Sequence, residues 1–151
     1  MNTQDSFNLQ RFLDAQENEY EQALKEIRNG RKTTHWIWFI FPQIHGLGHS
    51  CMSEHYGIES LDEARAYWKH PILRQRLVEI TEALLAHSRK RLFHAPKTAF
   101  EILGTIDAIK VCSCMTLFDM VEPNGIFADV LNVFYEGERD PLTLEKLSSL
   151  E

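Results

Sequence analysis

The chain has 151 residues, 44% hydrophobic and 25% charged, with a formal net charge of -6. That length supports one ordinary domain with a real core, and the acidic balance argues against nucleic acid as the main partner, because phosphate binding needs a cationic face. The polar stretch Met1 to Gln10 lacks the charged, apolar pattern of a signal peptide, and no segment offers the roughly 18 continuous apolar residues of a membrane span. A cytoplasmic location without a membrane partner is expected.

In chain order, residues 8–29 carry Leu9, Phe12, Leu13, Tyr20, Ala23, Leu24 and Ile27 near helical spacing, which predicts one amphipathic helix. Asn29-Gly30 closes it, with Gly30 suited to a left-handed cap. The run Trp36-Ile37-Trp38-Phe39-Ile40-Phe41 follows, dense enough to demand burial. It suits a buried strand or a short buried helix capped by Thr33 or Thr34. Helix is the preferred reading, because no other segment offers a partner strand. Pro42 ends it, and Gln43 to Ser50 forms a glycine-containing loop.

Ser60-Leu61-Asp62-Glu63 is a capping box that starts a short helix through Trp68. Pro71 opens the next at its first position, with an apolar stripe along residues 71–87. Arg89-Lys90-Arg91 reads as a solvated helix end. Pro96 opens a helix stopped by Gly104, and Thr105 or Asp107 caps one running to about Met120. A turn at Glu122-Pro123-Asn124-Gly125 precedes a helix ended by Gly137. Asp140-Pro141 caps the last, with Leu144 and Leu147 facing inward. Short linkers and the absence of repeats predict a single compact all-α domain over residues 1–151, with about seven or eight short helices.

Three constellations invite chemistry. Lys32, Thr33, Thr34 and His35 precede a helix start, where free amides, hydroxyls and a cation suit a phosphate or carboxylate. Capping alone also explains the hydroxyls. Gly46 and Gly48 allow a close backbone approach, and Gln43 can donate and accept. This is neither a P-loop nor a dinucleotide turn. On the helix near residue 113, Lys110, Ser113 and Leu117 share a face, as do Cys112 and Thr116. A Lys–Ser pair can be nucleophilic; a core helix with a snorkelling Lys is the plainer reading. His45, His49, Cys51 and His55 lack the spacings of a metal site, so no metal and no cofactor are expected. Cys51, Cys112 and Cys114 are an odd number of thiols, read as reduced.

The motif Gly30-Arg31-Lys32-x-x-His35-Trp36-x-Trp38-Phe39-x-Phe41-Pro42-Gln43, with Gly46-Leu47-Gly48-x-Ser50, resembles the signature of a bacterial and fungal domain-of-unknown-function family. Its members are sometimes mislabelled calpastatin, an inhibitor that is a disordered chain and quite unlike this aromatic core. Asn8 to Phe12, Ser60 to Ala64, Tyr67, His70-Pro71, Leu73, Lys110, Ser113, Met115 to Phe118 and Asp140-Pro141 fit the same pattern. Val111 and Cys114 depart from the family's Lys-Leu-x-Ser-Ser-Met-Thr, which weakens any role for the second hydroxyl. The resemblance implies a small, mostly helical domain and supplies no activity. A fainter similarity in layout is to YbiA-like proteins, which are helical and act on ADP-ribose-type N-glycosides.

The reading that joins these features is a polar pocket for a small anionic, nucleotide-like ligand. Lys32 and Lys110 would hold negative charge, His35 would move protons, and Trp38, Gln43, Ser50 and Thr116 would complete the contacts. His35 and Ser113 are the catalytic candidates if the protein is an N-glycoside hydrolase or transferase. The alternative is a non-catalytic interaction protein. A homodimer is compatible with either.

Overall fold

The computed structural model describes residues 5–90 and 92–149, so Met1 to Gln4 and the Arg91 of the basic cluster lie outside the described residues. The helices are α1 (Gln10–Glu17), α2 (Tyr20–Arg28), α3 (Ile37–Ile40), α4 (Cys51–His55), α5 (Leu61–Lys69), α6 (Pro71–Ala86), α7 (Ala99–Leu103), α8 (Thr105–Val121), α9 (Ile126–Phe134) and α10 (Pro141–Ser149). The fold is all-α: among the described residues the only β pairing is one isolated parallel bridge, Ile44 to Ile58. The ten helices among the described residues exceed the expected seven or eight because the helix expected over residues 8–29 is two, α1 and α2, and the glycine-containing loop runs into the five-residue α4.

The centre of the molecule is α8. Ala108, Val111 and the run Ser113 to Phe118 are all buried, so this helix is enclosed along its second half, while Ile106, Ile109 and Met120 stay exposed near its ends. It packs against α9, α5, α7, α10 and α3. Around it, α6 packs on α2, α5 and α9, and α1 covers α3. Tyr67, Phe118 and Phe127 form a run of aromatic contacts through the core, with ring centroids 5.3 and 5.7 Å apart.

The helix expected over residues 8–29 is two helices, parted at Asn18-Glu19. Gln16, one turn after Phe12 on the buried face of α1, points inward. Its Nε2 donates to the Phe39 carbonyl at 2.7 Å and approaches the Tyr67 hydroxyl at 3.2 Å. A four-residue helix such as α3 leaves its last carbonyls open, and Gln16 satisfies one of them from outside.

Several expected signals hold. Ser60 accepts from the Glu63 amide at 3.1 Å, Pro71 sits at the first position of α6, and Gly30 and Gly104 have φ of 79° and 83°. Others are corrected. The carboxylate of Glu63 takes the Glu59 amide rather than closing the box on Ser60, and it pairs with Arg11 at 2.7 Å. Thr98 with Glu101, not Pro96, opens α7. Gly104 is the N-cap of α8, so neither Thr105 nor Asp107 caps it. Leu147 is buried as expected, whereas Leu144 is exposed.

Candidate functional site

The approach to α3 is organised by a residue the motif search passed over. Glu26, on the inner face of α2, is buried. Its Oε1 accepts from the amides of Thr33 and Thr34 at 2.7 and 2.9 Å and from the Trp36 indole at 3.0 Å. Its Oε2 accepts from the Thr34 hydroxyl and from Gln22. Burial alone would raise the pKa of this carboxyl; the hydrogen bonds from Thr34, Thr33 and Gln22 outweigh it and lower the value to about 2. Two amides of the loop expected to receive a ligand anion, those of Thr33 and Thr34, are therefore taken by Glu26, and neither Thr33 nor Thr34 caps α3. Trp36 is the N-cap residue of α3, without a side-chain cap.

Lys32 follows from the same loop. Its ammonium pairs with Asp107 at 2.8 Å, contacts the Thr34 carbonyl and lies 4.8 Å over the Trp36 ring. Its charge is compensated within the protein. His35 is exposed.

One turn along α8 from Asp107 stands Lys110. Residues three apart on a helix are neighbours, so Lys32 and Lys110 meet the same face of α8 one turn apart. The Lys110 ammonium lies 5.6 Å over the ring of Trp38. Trp38 itself is partly exposed, but its indole N–H is buried and has no hydrogen-bond partner among the described residues. Lys110 has no carboxylate partner among the described residues either.

A further turn along, the chemistry is structural. Ser113 donates to Asp140 Oδ2 at 2.8 Å, and that oxygen also accepts from the amide and hydroxyl of Thr143. Thr116 donates to the Cys112 carbonyl at 2.8 Å and accepts from the Asp140 amide at 2.9 Å. Both hydroxyls fasten the start of α10 to α8. The Ser113 hydroxyl is thus engaged by the Asp140 carboxylate, which also holds Thr143.

Gln43 and Ser50 lie on the loop after α3. The loop is held by the Ile44–Ile58 bridge, with His45 N–H donating to the Ile58 carbonyl at 2.8 Å. Ser50 is the N-cap of α4, accepting from the Ser53 amide at 3.1 Å. A Cβ on Gly48 would stand 2.6 Å from Ser53 Oγ and 4.0 Å from Gln43 Nε2, and one on Gly46 would stand 2.8 Å from Lys146 Nζ. The glycines thus admit neighbouring side chains of the protein. His45, His49, Cys51 and His55 form no metal-binding group; among the described residues no cluster of three or more His, Cys, Asp or Glu could hold an ion.

The structure therefore brings Lys32, Trp38 and Lys110 to one edge, where the aromatic run meets α8. It assigns Ser113 and Thr116 to the α10 joint, and places Gln43 and Ser50 on the loop that follows α3. Sequence reasoning missed Gln16 and Glu26, and it read Asp107 and Asp140 only as helix caps, not as the partners of Lys32 and Ser113. Gln16 and Glu26 fall in the inward rows of their helices, and a polar residue in an apolar row is the signal that finds them.

These features define an all-α domain built around a buried central helix with a mixed polar edge. The chain belongs to the family described as "Protein of unknown function (DUF1810)", whose model matches residues 6–147. It is similar to a solved structure, the conserved hypothetical protein Rv1873 from Mycobacterium tuberculosis, at 40% identity and a TM-score of 0.86. That match covers 94% of this chain and 97% of the other. No curated protein matches.

Proposed function

We propose that the edge between α3 and α8 binds a small anionic, nucleotide-like ligand, with Lys110 and Trp38 as its central contacts. One observation carries this reading: a buried indole N–H lies on the same side chain that the Lys110 ammonium covers, and among the described residues the one has no hydrogen-bond partner and the other no counter-charge. A buried donor left unpaired costs about 1–3 kcal/mol, and such groups in native structures call for an explanation. A ligand oxygen would accept from the indole while its charge meets the ammonium, and the partly exposed ring offers a stacking surface. Lys32, already paired with Asp107, would shape the edge without adding net charge. Gln43 and Ser50 would meet the ligand's outer part.

Binding is better supported than nucleophilic catalysis, because Ser113 already donates to Asp140. Should the ligand be an N-glycoside cleaved or transferred here, His35, exposed beside Lys32, is the remaining proton carrier. The interaction-protein reading draws on Ile106 and Ile109, exposed on the outer side of α8.

Calorimetry with ADP-ribose, AMP and inorganic phosphate tests the proposal. The wild type should bind at least one of them. Lys110→Met, which keeps the stem and removes the charge, should weaken binding about tenfold, and Trp38→Phe by a similar factor. Ser113→Ala should bind normally. No binding by the wild type across the panel, or equal binding by the wild type, Lys110→Met and Trp38→Phe, would leave the interaction reading ahead.

A further inference from the structure

A basic stretch without acidic residues lies between the end of α6 and the start of α7. Between Ala83 and Phe100 the sequence has no Asp or Glu, yet it holds His87, Arg89, Lys90, His94 and Lys97. With Arg28 at the end of α2, four of these line a cavity of about 270 Å³ in which every ionisable side chain is basic: Arg28, His87, Arg89, His94 and Lys97. Two of the five have structural duties. His87 Nε2 lies 2.6 Å from the Ile27 carbonyl, and Lys97 Nζ is 3.4 Å from the Gly30 carbonyl, so both close the C-terminus of α2. Arg28 is only loosely paired, 3.8 Å from Glu79. Arg89 and His94 are exposed, with no acidic partner among the described residues.

Leu92 and Phe93 lie in a turn just before His94, and their exposures are 89% and 86%. No other large apolar side chains among the described residues are so bare. Two adjacent apolar side chains held out in water beside a cationic cavity have a recognised use at an anionic lipid surface. Phosphate headgroups meet the cations while the apolar tip enters the boundary of the acyl region.

We infer that the Leu92-Phe93 turn and the basic cavity behind it form a peripheral docking surface for an anionic phospholipid membrane. No helix among the described residues is long and apolar enough to cross a membrane, and a surface contact needs none. This departs from the expectation of no membrane partner, which rested on the missing span. The net charge of -6 opposes binding of the molecule as a whole to an anionic surface, so this basic face would orient the contact. A nucleic acid fits the cations but leaves the aliphatic Leu92 unexplained, and a free phosphate leaves both apolar residues unexplained.

The test is sedimentation of the whole protein with vesicles of phosphatidylcholine alone and of phosphatidylcholine with phosphatidylglycerol. The wild type should sediment with the anionic vesicles and stay in solution with the neutral ones. Each cation near such a surface strengthens partition by about fivefold. The double variant Arg89→Gln/Lys90→Gln and the double variant Leu92→Ser/Phe93→Ser should each lower partition about tenfold or more. All four side chains are exposed, so both variants should keep the wild-type circular dichroism. Failure of the wild type to sediment with anionic vesicles overturns the inference. So does full retention by Leu92→Ser/Phe93→Ser. Binding of inorganic phosphate or of a single-stranded oligonucleotide without vesicle binding overturns it in favour of a free anion or a nucleic acid.

Discussion

At the scale of single residues, the fold depends on polar groups placed where the apolar pattern leads one to expect carbon. Glu26 holds the loop before α3 by accepting from two amides, a hydroxyl and an indole. Its ordinary pKa of 4.5 is lowered to about 2, against burial, by those hydrogen bonds. A carboxyl whose folded pKa is depressed contributes stability above its ordinary value and loses it as pH falls toward the folded value. The shift corresponds to roughly 3 kcal/mol, present at neutral pH and lost between about pH 4.5 and pH 2. Glu26→Gln should therefore be less stable than the wild type by that order at pH 7. The gap should narrow as the pH drops through this window, as measured by urea unfolding at a series of pH values. A gap that stays constant down to pH 2 would show that the carboxylate's charge is not what holds the loop. The aromatic run was legible as the anchor because of its density. That Trp36 is fully buried while Trp38 is partly exposed was not, because the choice depends on Glu26, a partner outside the run.

At the scale of elements, local signals were read where both partners lie within one turn. Ser60 with the Glu63 amide, Pro71 at a helix start, and Gly30 at a helix end are of this kind. The division of α1 from α2 was not legible, because the apolar spacing runs on through Asn18-Glu19. The joint between α8 and α10 was half legible. Asp140 was expected as a cap, but the hydroxyls of Ser113 and Thr116 looked like chemistry until their partner was known. Asp140 accepts from Ser113 and Thr143, and its amide donates to Thr116. Asp140→Ala removes the cap and leaves buried hydroxyls with fewer partners, a loss of about 2–3 kcal/mol. Hydrogen exchange should show the amides of α10 losing protection while those of α8 keep theirs to near the global limit. Equal loss along both helices would mean that α10 is not a separately opening unit. No loss would mean that the cap does not hold it.

At the scale of the whole molecule, enclosure of α8 makes its interior a reporter of global unfolding. The three thiols sample three depths. Cys51 is exposed, Cys112 is partly buried and Cys114 is buried. Burial, followed by the charge of Asp140, pushes the Cys112 thiol up to about 11, and burial raises Cys114 well above 9. Since the thiolate is the nucleophile, both are slowed by their protonation as well as by access. With a disulfide-exchange reagent in excess at pH 8, Cys51 should react fast and Cys112 far more slowly. Cys114 should react only through opening of the packed helices around it, at a rate set by the open fraction. A domain stable by 5–15 kcal/mol is open less than about one part in a thousand of the time. Urea below the unfolding midpoint should therefore accelerate Cys114 with the slope of global unfolding while leaving Cys51 nearly unchanged. Reaction of Cys114 at the rate of Cys51, or with no dependence on urea, would show that α8 is reached by local motion. The central helix would then not be the cooperative heart of the fold that its packing against five other helices describes.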